Sequence, residues 1–237
     1  MMTKYDIFVA DAHIDSATSK CALAFIAFLD EIKGSTRTLY ILGDLFDFWF
    51  GDNKASYTVF QPILDKFKEL RKNSVEIVYI EGNHDFQMGR FFTDVLGAKV
   101  YPLDVVINID AKVYYITHGD MIYGNKFQPI SRMALRSLSL LKKTLPEKAL
   151  LSIANWLSNS SRSRSAVKKV LNDALFLKYV NDKKERGISN IIFGHTHVPL
   201  IEERGGCLCV NPGAFKDDGS YARYSDGKFT LEKFTQR

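Results

Sequence analysis

The sequence predicts an α/β layered fold, because short runs rich in Val, Ile, Tyr and Phe alternate with segments of helical periodicity along its 237 residues. Runs of about four to eight such residues are typical of strands buried on both faces. Helices between such strands favour layers of sheet and helix. With 46% apolar residues, the chain is long enough for a substantial core, and its length fits one domain with an insertion or two small domains. We expect one compact globular protein.

Five predicted strands each stop at a polar segment. In chain order they are YDIFVA before Asp11, TLYIL before Gly43, VEIVYIE before Gly82, KVYYIT before His118 and IIF before Gly194. Two helices are predicted between them, over residues 21–32 and 60–71. Ligands of α/β sheets bind beyond the carboxyl ends of the strands, so the polar segments are the predicted functional site.

All five histidines of the chain lie in these polar segments, next to carboxylates and an amide. The histidines are His13, His84, His118, His195 and His197, and the oxygen donors beside them are Asp11, Asp44, Asn83 and Asp85. A single histidine is more often structural than a ligand, but five of five argue against coincidence. Side chains at i and i+2 of an extended chain point the same way, so Asp11 and His13 are predicted to aim at one point. The same prediction holds for His195 and His197.

Imidazole nitrogens combined with carboxylate oxygens suit Mn, Fe, Zn, Co or Ni, whereas calcium prefers oxygen alone. The candidate ligands are Asp11, His13, Asp44, Asn83, His118, His195 and His197. This set is too large for one ion of ordinary coordination number. Two adjacent divalent ions that share a bridging carboxylate fit it better, and the donor types alone do not select among the five metals.

Positive charge is concentrated in one segment. Residues 125–186 contain 14 Lys or Arg against 4 Asp or Glu, a net charge of +10 in a chain whose total is +5. A solvated helical face is one interpretation, and a surface for the phosphates of a nucleotide, a lipid headgroup or a nucleic acid is the other. The segment lacks regularly spaced aromatics for base stacking, so no stable nucleic-acid partner is expected.

The same segment has helical patterns, with Pro146 between the first two predicted helices. A third pattern includes Val167, Val170, Leu171, Ala174 and Leu175. These stripes either pack onto the main domain or form a helical cap. In a cap, the apolar side would take acyl chains and the cations would meet a diphosphate or an anionic membrane surface.

The compartment follows from what the sequence lacks. No run approaches the ~18 apolar residues that span a bilayer, and Asp11 comes before any signal-peptide core. Cys21, Cys207 and Cys209 lack a metal-site spacing and suit a reducing compartment. We expect a cytoplasmic protein, with peripheral contact to a membrane surface if its substrate is a lipid. The sequence does not predict an oligomeric state.

Five motifs in a fixed order carry a family resemblance. They are D-x-H at Asp11 and His13, G-D at 43–44, G-N-H-D at 82–85, H-G-D at 118–120 and G-H-T-H at 194–197. The set resembles the calcineurin-like metallophosphoesterases over residues 9–199, and VNPGAF at 210–215 is similar to their last core strand and turn. The resemblance implies a four-layer αββα metallophosphoesterase sandwich, built from residues 1–124 and 187–237, with residues 125–186 as a helical cap insertion.

The resemblance also implies a two-metal centre and divides the ligands between its ions. Asp11, His13 and His197 would hold the first metal, Asn83, His118 and His195 would hold the second, and Asp44 would bridge them. His84 is predicted to contact the phosphate or to protonate the leaving oxygen, with Asp85 available to orient it. A purely structural role for Asp85 is an equal alternative.

Within this family the sequence is most similar to the UDP-2,3-diacylglucosamine pyrophosphohydrolases of lipid A synthesis. Three features carry this resemblance: GDLFDFWFGD at 43–52, NKFQ after HGDMIY, and the basic insertion before G-H-T-H. It implies a nucleotide-linked glycolipid substrate, whose diphosphate is cleaved to UMP and 2,3-diacylglucosamine 1-phosphate. Where the best-known members carry Arg after the metal-binding Asn, this chain has His84.

The similarity to these enzymes implies substrate contacts in two places. At the metal centre they are Asn83, His84 and His195. In the insertion they are Asn125, Ser161, Arg162, Arg164, Ser165 and Lys168. The two arginines of this second group offer bidentate contacts to phosphate.

Two rival functions remain. The first is a phosphodiesterase or phosphatase for soluble nucleotides, nucleic acid or other phosphoesters, with the basic segment as a backbone-binding surface. The second is a non-catalytic scaffold that keeps the fold without hydrolysis. A scaffold has no need for all seven ligands, which this sequence retains.

Overall fold

The computed structural model describes residues 4–52, 54–122 and 173–236. Its elements in chain order are β1 (Tyr5–Val9), α1 (Lys20–Ile32), β2 (Thr36–Ile41), β3 (Trp49–Phe50), α2 (Lys54–Lys72), β4 (Glu76–Ile80), β5 (Asp85–Phe86), a π-helical turn (Phe91–Val95), β6 (Lys99–Tyr101), β7 (Asp104–Ile109), β8 (Lys112–Thr117), α3 (Asp173–Glu185), β9 (Asn190–Phe193), β10 (Leu200–Arg204), β11 (Cys207–Asn211), α4 (Phe215–Asp218), β12 (Ser220–Ser225) and β13 (Lys228–Lys233). The five predicted strands are β1, β2, β4, β8 and β9, and the two predicted helices are α1 and α2.

The strands form two large sheets. Sheet 1 has the order β13-β12-β1-β2-β4-β6, sheet 2 has the order β10-β11-β9-β8-β7, and β3 pairs with β5 in a small third sheet. The strands β1, β2, β4 and β6 are mutually parallel, as are β8, β9 and β11. Parallel neighbours end at the same edge of a sheet, so the polar motifs after β1, β2 and β4 are adjacent, and so are those after β8 and β9.

Three hydrophobic clusters separate four layers. Phe25 and Phe67 belong to the cluster between sheet 1 and the helices α1 and α2. Phe8 and Ile116 belong to the cluster between the two sheets. Phe176 of α3 packs in the cluster on the outer face of sheet 2. The predicted αββα order is therefore confirmed.

Local sequence explains where α1 begins but not where α2 begins. The side chain of Ser19 accepts a hydrogen bond from the backbone N–H of Ala22, which caps the start of α1. The helix α2 begins six residues before the predicted start at Phe60, and Pro62 lies inside it. None of the described side chains of this helix before Phe60 is fully buried, so its first turn carries no buried apolar stripe from which the start could be predicted.

The predicted cap falls mostly on residues that the structure does not describe. Within 125–186 only residues 173–186 are described, and α3 there contains Ala174 and Leu175 from the third predicted helix. The two helices predicted around Pro146 lie outside the described residues, so the domain boundaries stay a prediction. In the ranges that are described, no helix combines the length and the apolar character that crossing a membrane requires.

Candidate metal centre

The five polar motifs converge where the two sheets meet. The backbone N–H of Asp11 donates to the carbonyl of Gly43 over 3.1 Å, and that of His13 donates to the carbonyl of Asp44 over 2.9 Å. On sheet 2, the N–H of Gly194 donates to the carbonyl of His118 over 2.9 Å. These bonds lock neighbouring motif loops together before any side chain is considered.

Five of the candidate ligands have left-handed backbone conformations. Their φ angles are 53° at Asp11, 44° at His13, 53° at Asp44, 65° at His195 and 60° at His197. Such residues cost about 1 to 3 kcal/mol each and cluster at functional sites. The extended geometry from which we predicted the i, i+2 pairs is therefore wrong, but Asp11 and His13 still lie in one ligand cluster. His195 and His197 lie in different clusters, so the prediction that they aim at one point is wrong.

The first half-site comprises Asp11, His13 and His197, whose ligand atoms lie within 4.8 Å of one another. Oδ1 of Asp11 lies 3.3 Å from Nε2 of His197 and 3.8 Å from Nε2 of His13. Oδ1 of Asp11 and Nε2 of His197 are both buried without a hydrogen-bond partner. Buried polar atoms are nearly always paired, so this unsatisfied pair fits a bound cation.

The second half-site comprises Asn83, His118 and His195. Nε2 of His118 lies 3.1 Å from Oδ1 of Asn83 and 3.1 Å from Nδ1 of His195. Nδ1 of His118 contacts the carbonyl of Leu42 at 2.7 Å, and because a carbonyl only accepts, Nδ1 carries the proton. In the neutral ring this leaves the lone pair of Nε2 facing the half-site, as metal coordination requires.

Asp44 lies between the two half-sites. Its Oδ2 is 3.7 Å from Nε2 of His13 and 3.5 Å from Nε2 of His118. Its Oδ1 accepts a hydrogen bond from the backbone N–H of His84 over 2.9 Å. One oxygen is thus fixed by the loop, and the other is directed to both half-sites.

At Asp11, Asp44 and His118, neighbouring charges shift the pKa in the direction opposite to the effect of burial. Burial alone would raise the pKa of Asp11, but His197 and His118 hold it below its ordinary value. Burial alone would likewise raise the pKa of Asp44, which His118 lowers. Burial alone would lower the pKa of His118, but the two carboxylates raise it to about 9. For His13 burial prevails and lowers the pKa to about 4. The carboxylates of Asp11 and Asp44 are therefore ionised, as a cation site requires.

Asp85 is fully buried beneath the centre. Its carboxylate accepts hydrogen bonds from the amides of Asp44, Leu45, Phe46 and Gly82 and from the hydroxyl of Tyr79. Burial and the charge of Asp44 raise its pKa to about 7, although these hydrogen bonds lower it. Asp85 therefore ties the G-D loop to the G-N-H-D loop.

His84 is oriented by a different residue from the one we expected. Its Nδ1 lies 2.8 Å from the carbonyl of Asp47, whereas the five donors already described surround the carboxylate of Asp85. The ring of His84 meets the ring of His13 edge-on, with centroids 4.8 Å apart. The backbone of the G-D loop therefore holds the imidazole beside the first half-site.

Sequence reasoning missed two carboxylates behind the first half-site. Oδ1 of Asp47 lies 3.8 Å from Nδ1 of His13, and Oδ2 of Asp217 lies 3.3 Å from Nδ1 of His197. Asp47 stands inside GDLFDFWFGD, and Asp217 stands two residues after VNPGAF, so both were near recognised motifs.

Asn211 of VNPGAF also supports the centre. Its fully buried amide donates to the carbonyl of Gly194 over 3.1 Å and to Oγ1 of Thr196 over 2.9 Å. These bonds hold the G-H-T-H loop on both sides of His195. The motif was recognised from sequence, but this function of its Asn was not.

The aromatic residues of GDLFDFWFGD have a structural explanation. Phe46 and Trp49 are fully buried and belong to the cluster between sheet 1 and its helices. The ring centroid of Phe46 lies 4.5 Å from that of Phe60, and that of Trp49 lies 5.6 Å from that of Phe92. These two aromatic residues are therefore part of the hydrophobic core.

The predicted substrate contacts divide into two groups. Asn83, His84 and His195 lie at the metal centre. The contacts predicted in the insertion lie outside the described residues and are Asn125, Ser161, Arg162, Arg164, Ser165 and Lys168.

Comparison with known proteins gives the same family as the motifs. Residues 7–232 match the model of the calcineurin-like phosphoesterase superfamily domain. A UDP-2,3-diacylglucosamine hydrolase of Haemophilus influenzae (strain PittGG) is 30% identical over 207 residues, which are 86% of this chain and 87% of that protein. A protein of the same name from Stenotrophomonas maltophilia (strain K279a) is 27% identical over 244 residues, 95% of this chain and 97% of that protein.

Among solved structures, one described as a novel archaeal phosphodiesterase is similar in fold. Its TM-score is 0.50 at 14% identity, and the match covers 96% of this chain and 98% of that one. The family model spans most of the chain, and side chains from the polar motifs that could hold metal ions lie together at the strand ends. The chain therefore belongs to the calcineurin-like phosphoesterase superfamily and is a metal-dependent hydrolase.

Proposed function

We propose that the chain cleaves the diphosphate of UDP-2,3-diacylglucosamine, with water, to UMP and 2,3-diacylglucosamine 1-phosphate. The observation that carries this proposal is the likeness to hydrolases named for that substrate over 86% and 95% of the chain. The clustered ligands support the hydrolytic part of the proposal independently of any relative.

The proposed cofactor is a pair of divalent cations, with Mn²⁺ expected and Fe, Zn, Co or Ni compatible with the same donors. Asp11, His13 and His197 would hold one ion, Asn83, His118 and His195 would hold the other, and Asp44 would contact both. When bound, such a pair binds phosphoryl oxygens and lowers the pKa of a water molecule.

His84 is the proposed proton carrier. With Nδ1 donating to the carbonyl of Asp47, the proton that His84 could transfer to the leaving oxygen is the one on Nε2. Asn83 contributes a neutral oxygen, so the ions would keep more of their charge for the phosphate than beside another carboxylate.

A second candidate function is a phosphodiesterase acting on other phosphoesters. It is favoured by His84 itself, because an imidazole can exchange a proton near neutral pH and the arginine of the best-known lipid enzymes cannot. We rank it second because the full-length relatives carry the lipid nucleotide in their names.

The proposal extends to the membrane. A lipid substrate requires access to a bilayer, and the net charge of +10 over residues 125–186 would attract an anionic surface. We therefore propose a peripheral contact with the inner membrane, made through this segment.

The direct test is product release. Purified protein with Mn²⁺ and UDP-2,3-diacylglucosamine should liberate UMP, and chelation of the metal should stop the reaction. His13→Ala and Asp44→Ala should each abolish the release. Asp65→Ala, which changes an exposed carboxylate on α2, should leave the rate unchanged.

Three other outcomes would change the proposal. Hydrolysis of simple phosphodiesters without release of UMP would reject the lipid substrate and favour the second candidate. Steeply salt-dependent binding of nucleic acid would favour a nucleic-acid substrate. A protein that takes up metal but hydrolyses none of these substrates would be a scaffold.

A further inference from the structure

The imidazole of His197 lies between two carboxylates. Its Nε2 is 3.3 Å from Oδ1 of Asp11, and its Nδ1 is 3.3 Å from Oδ2 of Asp217. We propose that Asp217 is a positioning residue, which turns Nε2 of His197 toward the first half-site and so sets the metal affinity of that half-site. This inference rests on the metal centre of the proposed function, but not on its lipid substrate.

A carboxylate acceptor lies 3.3 Å from each ring nitrogen of His197, Asp11 on the Nε2 side and Asp217 on the Nδ1 side. A cation in the first half-site would take the lone pair of Nε2, so the ring proton would then be on Nδ1, where the carboxylate of Asp217 can accept it. Nε2 then presents its lone pair toward Asp11. Both Nε2 of His197 and Oδ1 of Asp11 are buried without a partner, so the lone pairs face a common, unsatisfied volume.

The short helix α4 holds Asp217 in place although its side chain is 54% exposed. The amide of Phe215 donates to the carbonyl of Ala10 over 3.0 Å, and the amide of Lys216 donates to the carbonyl of Asp11 over 3.3 Å. The ring of Phe215 is buried, with its centroid 5.1 Å from that of Phe25. The helix is thus hydrogen-bonded directly to the D-x-H loop, and its position does not depend on burial of the Asp217 side chain.

The expected effect is moderate. Loss of a partner behind a metal-bound histidine typically weakens metal binding about 10- to 100-fold. We expect the lower value, about 10-fold, because solvent screens a carboxylate that is half exposed. Stability of the metal-free protein should change little, since the side chain is not buried.

The test measures Mn²⁺ binding to metal-free protein by calorimetry. Asp217→Ala should weaken one of the two binding constants about 10-fold and leave the other unchanged. Asp217→Asn should weaken it less, because an amide oxygen can still accept the Nδ1 proton. The matched control is Asp218→Ala, which removes the next carboxylate of the same helix. That carboxylate pairs with Lys233 and Ser220 rather than with a histidine, so both binding constants should persist.

Two further measurements separate positioning from stability. In an Asn83→Ala background, which lacks a ligand of the second half-site, Asp217→Ala should weaken the remaining tight Mn²⁺ site. In metal-free protein, the ¹⁵N chemical shifts of His197, recorded well above the ordinary imidazole pKa, measure the balance between the Nδ1–H and Nε2–H tautomers, for which Asp217 and Asp11 compete. Asp217→Ala should shift the ring toward the Nε2–H tautomer.

Several results would overturn the inference. These are wild-type affinities in Asp217→Ala, equal losses in Asp217→Ala and Asp218→Ala, or an unchanged tautomer of His197. A wild-type protein that took up no Mn²⁺ would remove the metal centre and this inference with it. Absence of UMP release alone would reject only the substrate and would leave the role of Asp217 standing.

Discussion

The two half-sites are supported in different ways. In the first, the side chains of His13 and His197 are 11% and 19% exposed, and each has a carboxylate on its outer nitrogen. In the second, the side chain of His118 is fully buried and its outer nitrogen contacts a backbone carbonyl. A side chain can be replaced by substitution, but a carbonyl cannot. Single substitutions should therefore change the metal affinity of the first half-site through its two supporting carboxylates. In the second half-site, no substitution removes the carbonyl that supports His118.

The substitution with the largest expected effect disrupts both half-sites at once. A Cβ atom on Gly82 would overlap the backbone and carboxylate of Asp44 and lie 2.8 Å from Oδ1 of Asp85. Gly82→Ala should lower the free energy of unfolding by more than about 3 kcal/mol and abolish metal uptake. Denaturant unfolding and Mn²⁺ titration measure the two effects.

The control for Gly82 is Gly34→Ala. A Cβ on Gly34 meets nothing within 4 Å, so stability and metal uptake should match those of the wild type. Two ions bound with wild-type stability in Gly82→Ala would show that the loops are not packed as described.

The second effect removes the common support of the two half-sites. Asp85→Asn places an amide where a carboxylate accepts five hydrogen bonds, and we expect a loss of about 2 to 3 kcal/mol in unfolding free energy. Asp65→Asn, on the exposed face of α2, should cost less than about 0.5 kcal/mol. Equal midpoints in urea for both variants would contradict this role of Asp85.

The third effect contrasts one histidine from each half-site in metal-free protein. His118→Ala leaves a buried carbonyl of Leu42 without its donor, so we expect a loss of about 2 kcal/mol. His13→Ala should cost less than about 1 kcal/mol, because this ring is partly exposed and burial already disfavours its charged form. Thermal unfolding in the presence of a chelator measures both losses. A larger loss of stability in His13→Ala than in His118→Ala would contradict the comparison.

The smallest effect concerns the other carboxylate of the first half-site. Oδ1 of Asp47 is 3.8 Å from Nδ1 of His13, longer than the corresponding contact of Asp217. Asp47→Asn should therefore weaken Mn²⁺ binding only about 3-fold, below the usual range for such partners. The carbonyl that orients His84 is retained in this variant. A loss larger than that of Asp217→Ala would mean that the Asp47 contact is the stronger one.

Much of the architecture could be predicted from the sequence because it rests on local patterns. The buried parallel strands are continuous apolar runs, and each ends at its motif. The outer strands were not predicted, because they carry mixed patterns. For example, β7 alternates exposed and half-buried residues until Ile109, and in β13 no residue is buried.

The site was predicted in composition but not in its internal geometry. The seven ligand candidates could be read from the motifs, yet the left-handed backbone at Asp11 and His13 could not, because both are hydrogen-bonded to the neighbouring G-D loop. The supporting contact of Asp217 joins positions 20 residues apart on separate elements. No local pattern encodes such a pair.

The left-handed residues restrict the chemistry that this centre could acquire by substitution. Asp, Asn and His tolerate positive φ far better than most side chains, and β-branched residues tolerate it poorly. Replacement of His195 or His197 by Thr or Val would therefore strain the main chain as well as remove a donor. Even a cysteine, which would recruit softer ions, lacks the tolerance of these three residue types. The left-handed backbone at these positions therefore favours residues with hard and borderline donor atoms, whichever ion binds.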